Sequence, residues 1–72
     1  MKISYDLDID ALYIRLLEGQ YECRTVQLTE EIALNLAADE RLVGIEVLDA
    51  KETLGSGKVP EIVLENLTVR AA

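Results

Sequence analysis

An alternation of apolar and polar side chains opens the chain. Ile3 and Tyr5 are separated by polar residues, and further on Leu12 and Ile14 recur at every second position. A period of two is typical of a strand with one buried face. The alternation predicts three strands in an antiparallel meander, over residues 2–6, 11–17 and 22–28.

Two interpretations compete for the next segment. Thr29 and the two glutamates after it are typical of a helix N-terminus, and the residues up to Ala37 have helical propensity. The apolar residues nevertheless recur at period two, and the following run is rich in β-branched residues. We therefore predict a β-hairpin of residues 31–37 and 41–48, closed by the connection 38–40.

A short helix is predicted after this hairpin, because Asp49 can cap its first turn and Gly55 can end it. The expected fold is mainly β (α+β): a small antiparallel sheet of four to five strands in meander order, with one short helix after the last core strand. Residues 1–54 would form a single compact domain. Residues 55–72 would form a linker and a C-terminal arm, whose composition supports either a helix or a strand. We favour an extended arm that adds to a sheet edge or to a partner subunit.

Chain length limits how this fold can be stabilised. A domain of 72 residues buries only about 60% of the surface that its unfolded chain exposes. Cys23 is the only cysteine and the chain has no histidine, so neither an internal disulfide nor a structural zinc site is available. Half of the residues are hydrophobic. We therefore expect self-association as a homodimer to bury the remaining apolar surface.

Charge and hydropathy restrict the partners. Fourteen acidic residues against seven basic ones give a net charge of −7, which disfavours direct contact with nucleic-acid phosphates and favours a basic protein partner. The sequence lacks an apolar stretch of the roughly 18 residues that a membrane span needs. Its first residues are charged and lack the apolar core of a signal peptide. These features predict a cytoplasmic protein without membrane or nucleic-acid contacts.

Three aspartates at alternate positions, Asp6, Asp8 and Asp10, are the first candidate for chemistry. A helix-loop-helix calcium site would need glycine and glutamate where this chain has Ala11 and Leu17. A turn fits better, because aspartate side chains accept hydrogen bonds from nearby backbone N–H groups. We expect Asp6 and Asp10 to hold the ends of that turn. Weak divalent-metal or small-ligand binding by the three carboxylates is the alternative.

Catalytic machinery is not predicted. Without histidine, the chain has no serine triad and no histidine acid–base pair, and a small single core offers no pocket for a coupled carboxylate pair. We expect no enzymatic activity, no catalytic residues and no cofactor. The candidate interaction surface consists of Tyr5, Tyr13 and Arg15, because tyrosine and arginine are enriched among interface anchors.

Two motifs carry a resemblance to a known family. They are Y-D-x-x-x-D-A-L-Y-I, which begins at Tyr5, and G-I-E-V-L-D-A, which begins at Gly44. Together they resemble a family of small prokaryotic proteins known as domain of unknown function 2283, over roughly residues 1–54. The resemblance implies a compact antiparallel sheet with a short helix after the second motif. It also implies an antitoxin-like or accessory role for some members, whose genes lie beside those of small RNA-cleaving toxins.

The sequence thus predicts a small acidic protein-interaction module that self-associates and binds a basic partner. The arm beyond Gly55 lies outside the matched motifs, so the resemblance implies nothing about a partner specificity carried there.

Overall fold

The computed structural model describes residues 1–68, so the end of the predicted arm, residues 69–72, lies outside the described residues. The described part contains a five-stranded sheet and one helix. In chain order these elements are β1 (Lys2–Asp6), β2 (Ala11–Arg15), β3 (Cys23–Gln27), β4 (Ile32–Ala37), β5 (Leu42–Val47) and α1 (Ala50–Gly55). No helix within residues 1–68 is long and apolar enough to cross a membrane.

The sheet is antiparallel throughout, with the strand order β1-β2-β5-β4-β3. Hairpins join β1 to β2, β3 to β4 and β4 to β5. This meander-like sheet, with one short helix after its last strand, confirms the predicted fold class. The pairing of β2 with β3, expected from a strict meander, is wrong: β2 pairs with β5, and β3 forms the far edge. The apolar β2 and β5 lie inside the sheet, whereas the exposed, largely polar β3 suits an edge.

The helical interpretation of residues 31–37 is wrong, and the predicted hairpin of β4 and β5 is confirmed. Thr29 does act as a capping residue, since its hydroxyl accepts hydrogen bonds from the backbone N–H groups of Glu31 (3.2 Å) and Ile32 (3.0 Å). That turn leads into β4 instead of a helix. The alternation of side chains therefore prevails over the local helix propensity.

The main hydrophobic cluster lies between α1 and one face of the sheet, and three further residues, Ala33, Ala37 and Val43, are buried outside this cluster. Leu12 of β2 and Val47 of β5 face each other across the strands and are almost fully buried. Ala50, at the start of α1, is completely buried and packs on both. Partly buried apolar side chains surround this cluster: Tyr5, Ile14, Ile32 and Ile45.

The predicted helix is present, but Asp49 does not cap it with its side chain. Asp49 occupies the N-cap position in a left-handed conformation (φ 49°), and its side chain makes no capping hydrogen bond. At the other end the N–H of Gly57 donates to the carbonyl of Lys51 (2.8 Å), which closes the last turn. Residues 58–68 form neither helix nor strand and are almost entirely exposed.

Candidate functional site

One row of aliphatic side chains crosses the whole sheet beside the core. The strand register aligns Ile3 with Ile14, Ile14 with Ile45, Ile45 with Leu34, and Leu34 with Val26. Opposed residues in neighbouring strands project from the same face. These five residues, one from each strand, are called the aliphatic row below.

Helix α1 packs over Leu12 and Val47, which lie next to the aliphatic row on the same face of the sheet. It leaves the aliphatic row partly open. Only six hydrophobic residues of the described chain are buried, and none of them belongs to the aliphatic row. Ile3 is 38% exposed, and the other four members are partly exposed. A short helix cannot span five strands, because six residues rise only about 9 Å while the five strands span about 19 Å.

The side chain of Asp10 connects the first turn to the helix. Its carboxylate accepts a hydrogen bond from the phenol of Tyr5 (2.6 Å). It also accepts the backbone N–H of Lys51, whose nitrogen lies 3.2 Å from each of the two carboxylate oxygens. Its own carbonyl accepts the N–H of Ala50 (3.0 Å). Asp10 therefore caps α1 from a distant part of the chain, in the place of Asp49. We call this arrangement the Asp10 clamp.

The clamp changes the acid–base behaviour of Tyr5. The hydrogen bond to Asp10 is the main cause, followed by partial desolvation and by the negative charges of Asp10 and Asp6, and together they raise the pKa of Tyr5 to about 12. Each of these effects disfavours the phenolate. The phenol therefore stays protonated and keeps donating to Asp10 up to strongly alkaline pH.

The other two aspartates of the opening motif have different surroundings. Asp6 accepts the backbone N–H of Asp8 (3.0 Å), so it holds the turn between β1 and β2 as expected. The Asp10 carboxylate accepts the backbone N–H of Lys51 and not an N–H of its own turn. Within residues 1–68 no three carboxylate, thiol or imidazole groups are close enough to form a metal site. Asp6 and Asp10 thus act as separate hydrogen-bond acceptors, and Asp8 takes part in the turn through its backbone N–H.

The opposite face of the sheet is more polar. There the phenol oxygen of Tyr13 accepts a hydrogen bond from the Asn35 amide (3.1 Å), and Asn35 pairs with Thr25 (3.1 Å). Gly44 allows the Tyr13 ring to lie across β5, because a Cβ at position 44 would come within 2.5 Å of the Tyr13 ring carbon Cζ. The glycine of the second motif therefore makes room for the second tyrosine of the first.

The three predicted interaction residues do not share one surface. Tyr5 opposes Leu12 on the face that carries α1, whereas Tyr13 and Arg15 lie on the polar face. The Arg15 guanidinium donates to the carbonyls of Leu17 and Gly19, so it stabilises the loop after β2. Alternation within each strand predicts that Tyr5 and Tyr13 lie on opposite faces of the sheet. Their hydrogen-bond partners could not be predicted in this way, because Tyr13 binds Asn35 of a distant strand.

Sequence reasoning did not identify the aliphatic row or the Asp10 clamp. Part of the signal for the row was present in the sequence, since each strand contains an aliphatic residue among those that alternate onto this face. That these residues form one continuous row could be predicted only with the order of the strands in the sheet. The clamp joins Asp10 to Lys51, 41 positions apart, and its only trace in the sequence is that Asp10 belongs to the first motif while Lys51 directly follows the second.

These features define a small single-sheet α+β domain, with a short helix clamped over one end of an apolar sheet face. A family model described as "Protein of unknown function (DUF2283)" matches residues 2–51. The match covers most of the chain, which therefore belongs to this family, as the two motifs predicted. No curated protein and no solved structure matches the chain.

Proposed function

We propose that this protein is a non-enzymatic interaction module that self-associates, as a homodimer, through the sheet face that carries the aliphatic row. The row is the observation that supports the proposal. A strip of five aliphatic side chains beside the core is the kind of surface that soluble proteins cover with a partner.

The total surface of the chain supports the same proposal. The folded chain exposes 5815 Å², whereas a compact monomer of 8.0 kDa is expected to expose about 4,450 Å². The excess is roughly 1,400 Å², and the exposed residues 58–68 contribute to it; it is larger than the about 800 Å² that each partner contributes to a standard interface. Covering part of this excess with a second copy would bring the chain to the burial that is normal for its size.

Self-association is tested with a pair of lysine substitutions on the edge strand β3. Val26→Lys places a charge in the aliphatic row, whereas Thr25→Lys places the same charge on the exposed polar face one residue away. We expect the unmodified chain and Thr25→Lys to be dimers in sedimentation equilibrium, and Val26→Lys to dissociate. A monomeric unmodified chain, or equal behaviour of the two variants, would contradict the proposal.

We further propose that the partner of this module is a basic protein, in an antitoxin-like or accessory role. The net charge of −7 favours such a partner. Part of this charge is concentrated where Glu31, Asp49 and Glu52 line one shallow cavity of about 350 Å³ beside the start of α1. A cytoplasmic location stays a prediction.

Co-expression with the product of the adjacent gene tests this proposal. A complex held by charge should elute as one species at low salt and separate at high salt, because ions screen exposed charges. Replacing Glu31 and Glu52 by glutamine should weaken it, whereas the same change at Glu18 and Glu22 serves as the control. The absence of a complex at both salt concentrations would refute the proposed role.

The alternative function, weak divalent-metal binding at Asp6, Asp8 and Asp10, gains no support from the geometry. The carboxylate of Asp10 is occupied by Tyr5 and Lys51, and Asp6 holds the turn. Calorimetric titration with Ca²⁺, Mg²⁺ and Mn²⁺ tests it directly, and a flat trace for all three ions would dismiss it.

A further inference from the structure

The C-terminal arm, defined here as residues 59–67, is apolar and exposed. Its five aliphatic residues keep about half to three quarters of their surface in solvent: Val59 47%, Ile62 53%, Val63 76%, Leu64 52% and Leu67 64%. Segments that remain solvated as flexible tails are usually poor in such residues. The composition of the arm is that of a segment that packs against something.

The beginning of the arm forms one wall of an apolar groove on the sheet. The chain reverses after α1, so that Pro60 lies against Gly55. Val59 and Ile62 then stand across from Ile3 and Ile14 of the aliphatic row, around a groove of about 530 Å³ that Leu54 also lines. The chain's own side chains leave this groove open.

We propose that residues 63–67 of a second copy fill this groove, so that the two chains of the dimer exchange their arms. This inference rests on the self-association proposed above and specifies its interface. In a two-fold dimer each arm contributes the wall of its own groove and the filling of its partner's, which makes the contact reciprocal. Within one chain, Val63 and Leu64 follow directly on the wall residue Ile62 and stay exposed.

The available apolar area favours an interface that includes the arm. Ile3 is 38% exposed and the other row residues are partly buried, whereas every aliphatic residue of the arm is at least 47% exposed. The arm therefore offers more uncovered apolar surface than the row. An interface of about 800 Å² on each partner needs both contributions.

One ion pair is compatible with this arrangement. Among the described residues that line the groove, Lys58 is basic and Glu61 is acidic. Glu65 lies in the middle of the segment that would enter the partner's groove. An arm inserted from a second copy would bring this carboxylate toward the lysine at the rim.

The test compares two double variants of the full chain in sedimentation equilibrium. Val63→Asp with Leu64→Asp adds two charges to the arm, and Leu7→Asp with Ile9→Asp adds the same charges to aliphatic residues of similar exposure, 66% and 67%, in the β1–β2 turn. We expect the arm variant to raise the dimer dissociation constant at least about a hundredfold, since it removes several buried side chains from each interface. The turn variant should change the constant by less than about threefold.

A cross-linking experiment identifies which chain supplies the arm. In a Cys23→Ser background, chains carrying Ile3→Cys are mixed with chains carrying Leu64→Cys and treated with a short bismaleimide. Arm exchange predicts a covalent heterodimer as the main product. As a control, chains carrying Leu7→Cys mixed with chains carrying Leu64→Cys should yield little cross-linked product.

The outcomes separate the two proposals. If Val26→Lys dissociates the dimer while the arm variant does not and the mixed chains fail to cross-link, arm exchange is refuted and self-association through the sheet stands. If the arm and turn variants weaken the dimer equally, arm exchange is also refuted. A monomeric unmodified chain overturns both proposals.

Discussion

Replacing Asp10 by alanine should destabilise this protein more than the same change at Asp6 or Asp8, the other two aspartates of the opening motif. The substitution removes the acceptor of the Tyr5 phenol and of the Lys51 N–H at the start of α1. Loss of an N-cap costs about 1 kcal/mol, and loss of a hydrogen bond to a charged group about 1.5 kcal/mol. Alanine also tolerates the left-handed conformation of Asp10, φ 52°, less well than aspartate does, at about 1 kcal/mol.

Because the site is only partly buried, these contributions are reduced, and we expect a loss of roughly 2–3 kcal/mol in the free energy of unfolding. A domain of this size has a total stability of roughly 4–11 kcal/mol, so the effect is large. Asp10→Asn is the matched variant, since asparagine accepts the Lys51 N–H and tolerates positive φ. It should lose less than about 1 kcal/mol.

Urea unfolding followed by circular dichroism, at one fixed chain concentration, measures these differences. Asp8→Ala is the control, because Asp8 is exposed at the tip of the same turn and its loss should stay within about 0.5 kcal/mol. Hydrogen exchange at the Lys51 amide should accelerate in Asp10→Ala and stay slow in Asp8→Ala. If Asp10→Ala and Asp8→Ala are equally stable, the clamp does not hold the helix and the reasoning is wrong.

Two further predictions concern the tyrosines. Gly44→Ala should destabilise the fold by roughly 1–3 kcal/mol, because the new methyl group would overlap the Tyr13 ring. Adding Tyr13→Phe should not restore the lost stability, since the ring carbons also occupy that space. An unchanged urea midpoint for Gly44→Ala would show that Tyr13 does not pack against Gly44. The difference in ultraviolet absorbance between the unmodified chain and Tyr5→Phe should titrate with a midpoint of about 12. Since this pKa is raised above the ordinary value of 10.0, the stabilisation by the Tyr5 hydrogen bond is complete below pH 10 and is lost as the pH rises through 12. A midpoint near the ordinary value would show that the bond to Asp10 does not form.

Alternation along β2 correctly predicted which of its faces carries the core, whereas Leu28, expected to face inward after β3, is 61% exposed. Leu12, expected on the buried side of β2, is 6% exposed, and its neighbour Tyr13 lies on the other face. The order of strands was not predictable in the same way, because a period of two specifies faces but not neighbours. β2 and β3 are consecutive in the chain, yet they lie on opposite sides of the β4–β5 hairpin.

The candidate site was predicted less well, because its parts come from distant segments. Local turn chemistry correctly made Asp6 an acceptor within its own turn. The same rule assigned the Asp10 side chain to that turn and made Asp49 the helix cap, whereas in the folded chain the Asp10 side chain caps the helix. Only the packing of α1 against the sheet brings the start of the helix within reach of Asp10.

The clamp also gives a physical reason for the two motifs to occur together. Tyr5 and Asp10 come from the first motif, and the helix that Asp10 caps begins at Ala50, the last residue of the second. The family model ends at residue 51, the residue whose N–H group Asp10 binds. The matched region thus contains the complete sheet and the clamped start of the helix. The arm lies beyond that region, so the family match includes every residue of the aliphatic row and none of the segment that we propose to insert into the partner's groove.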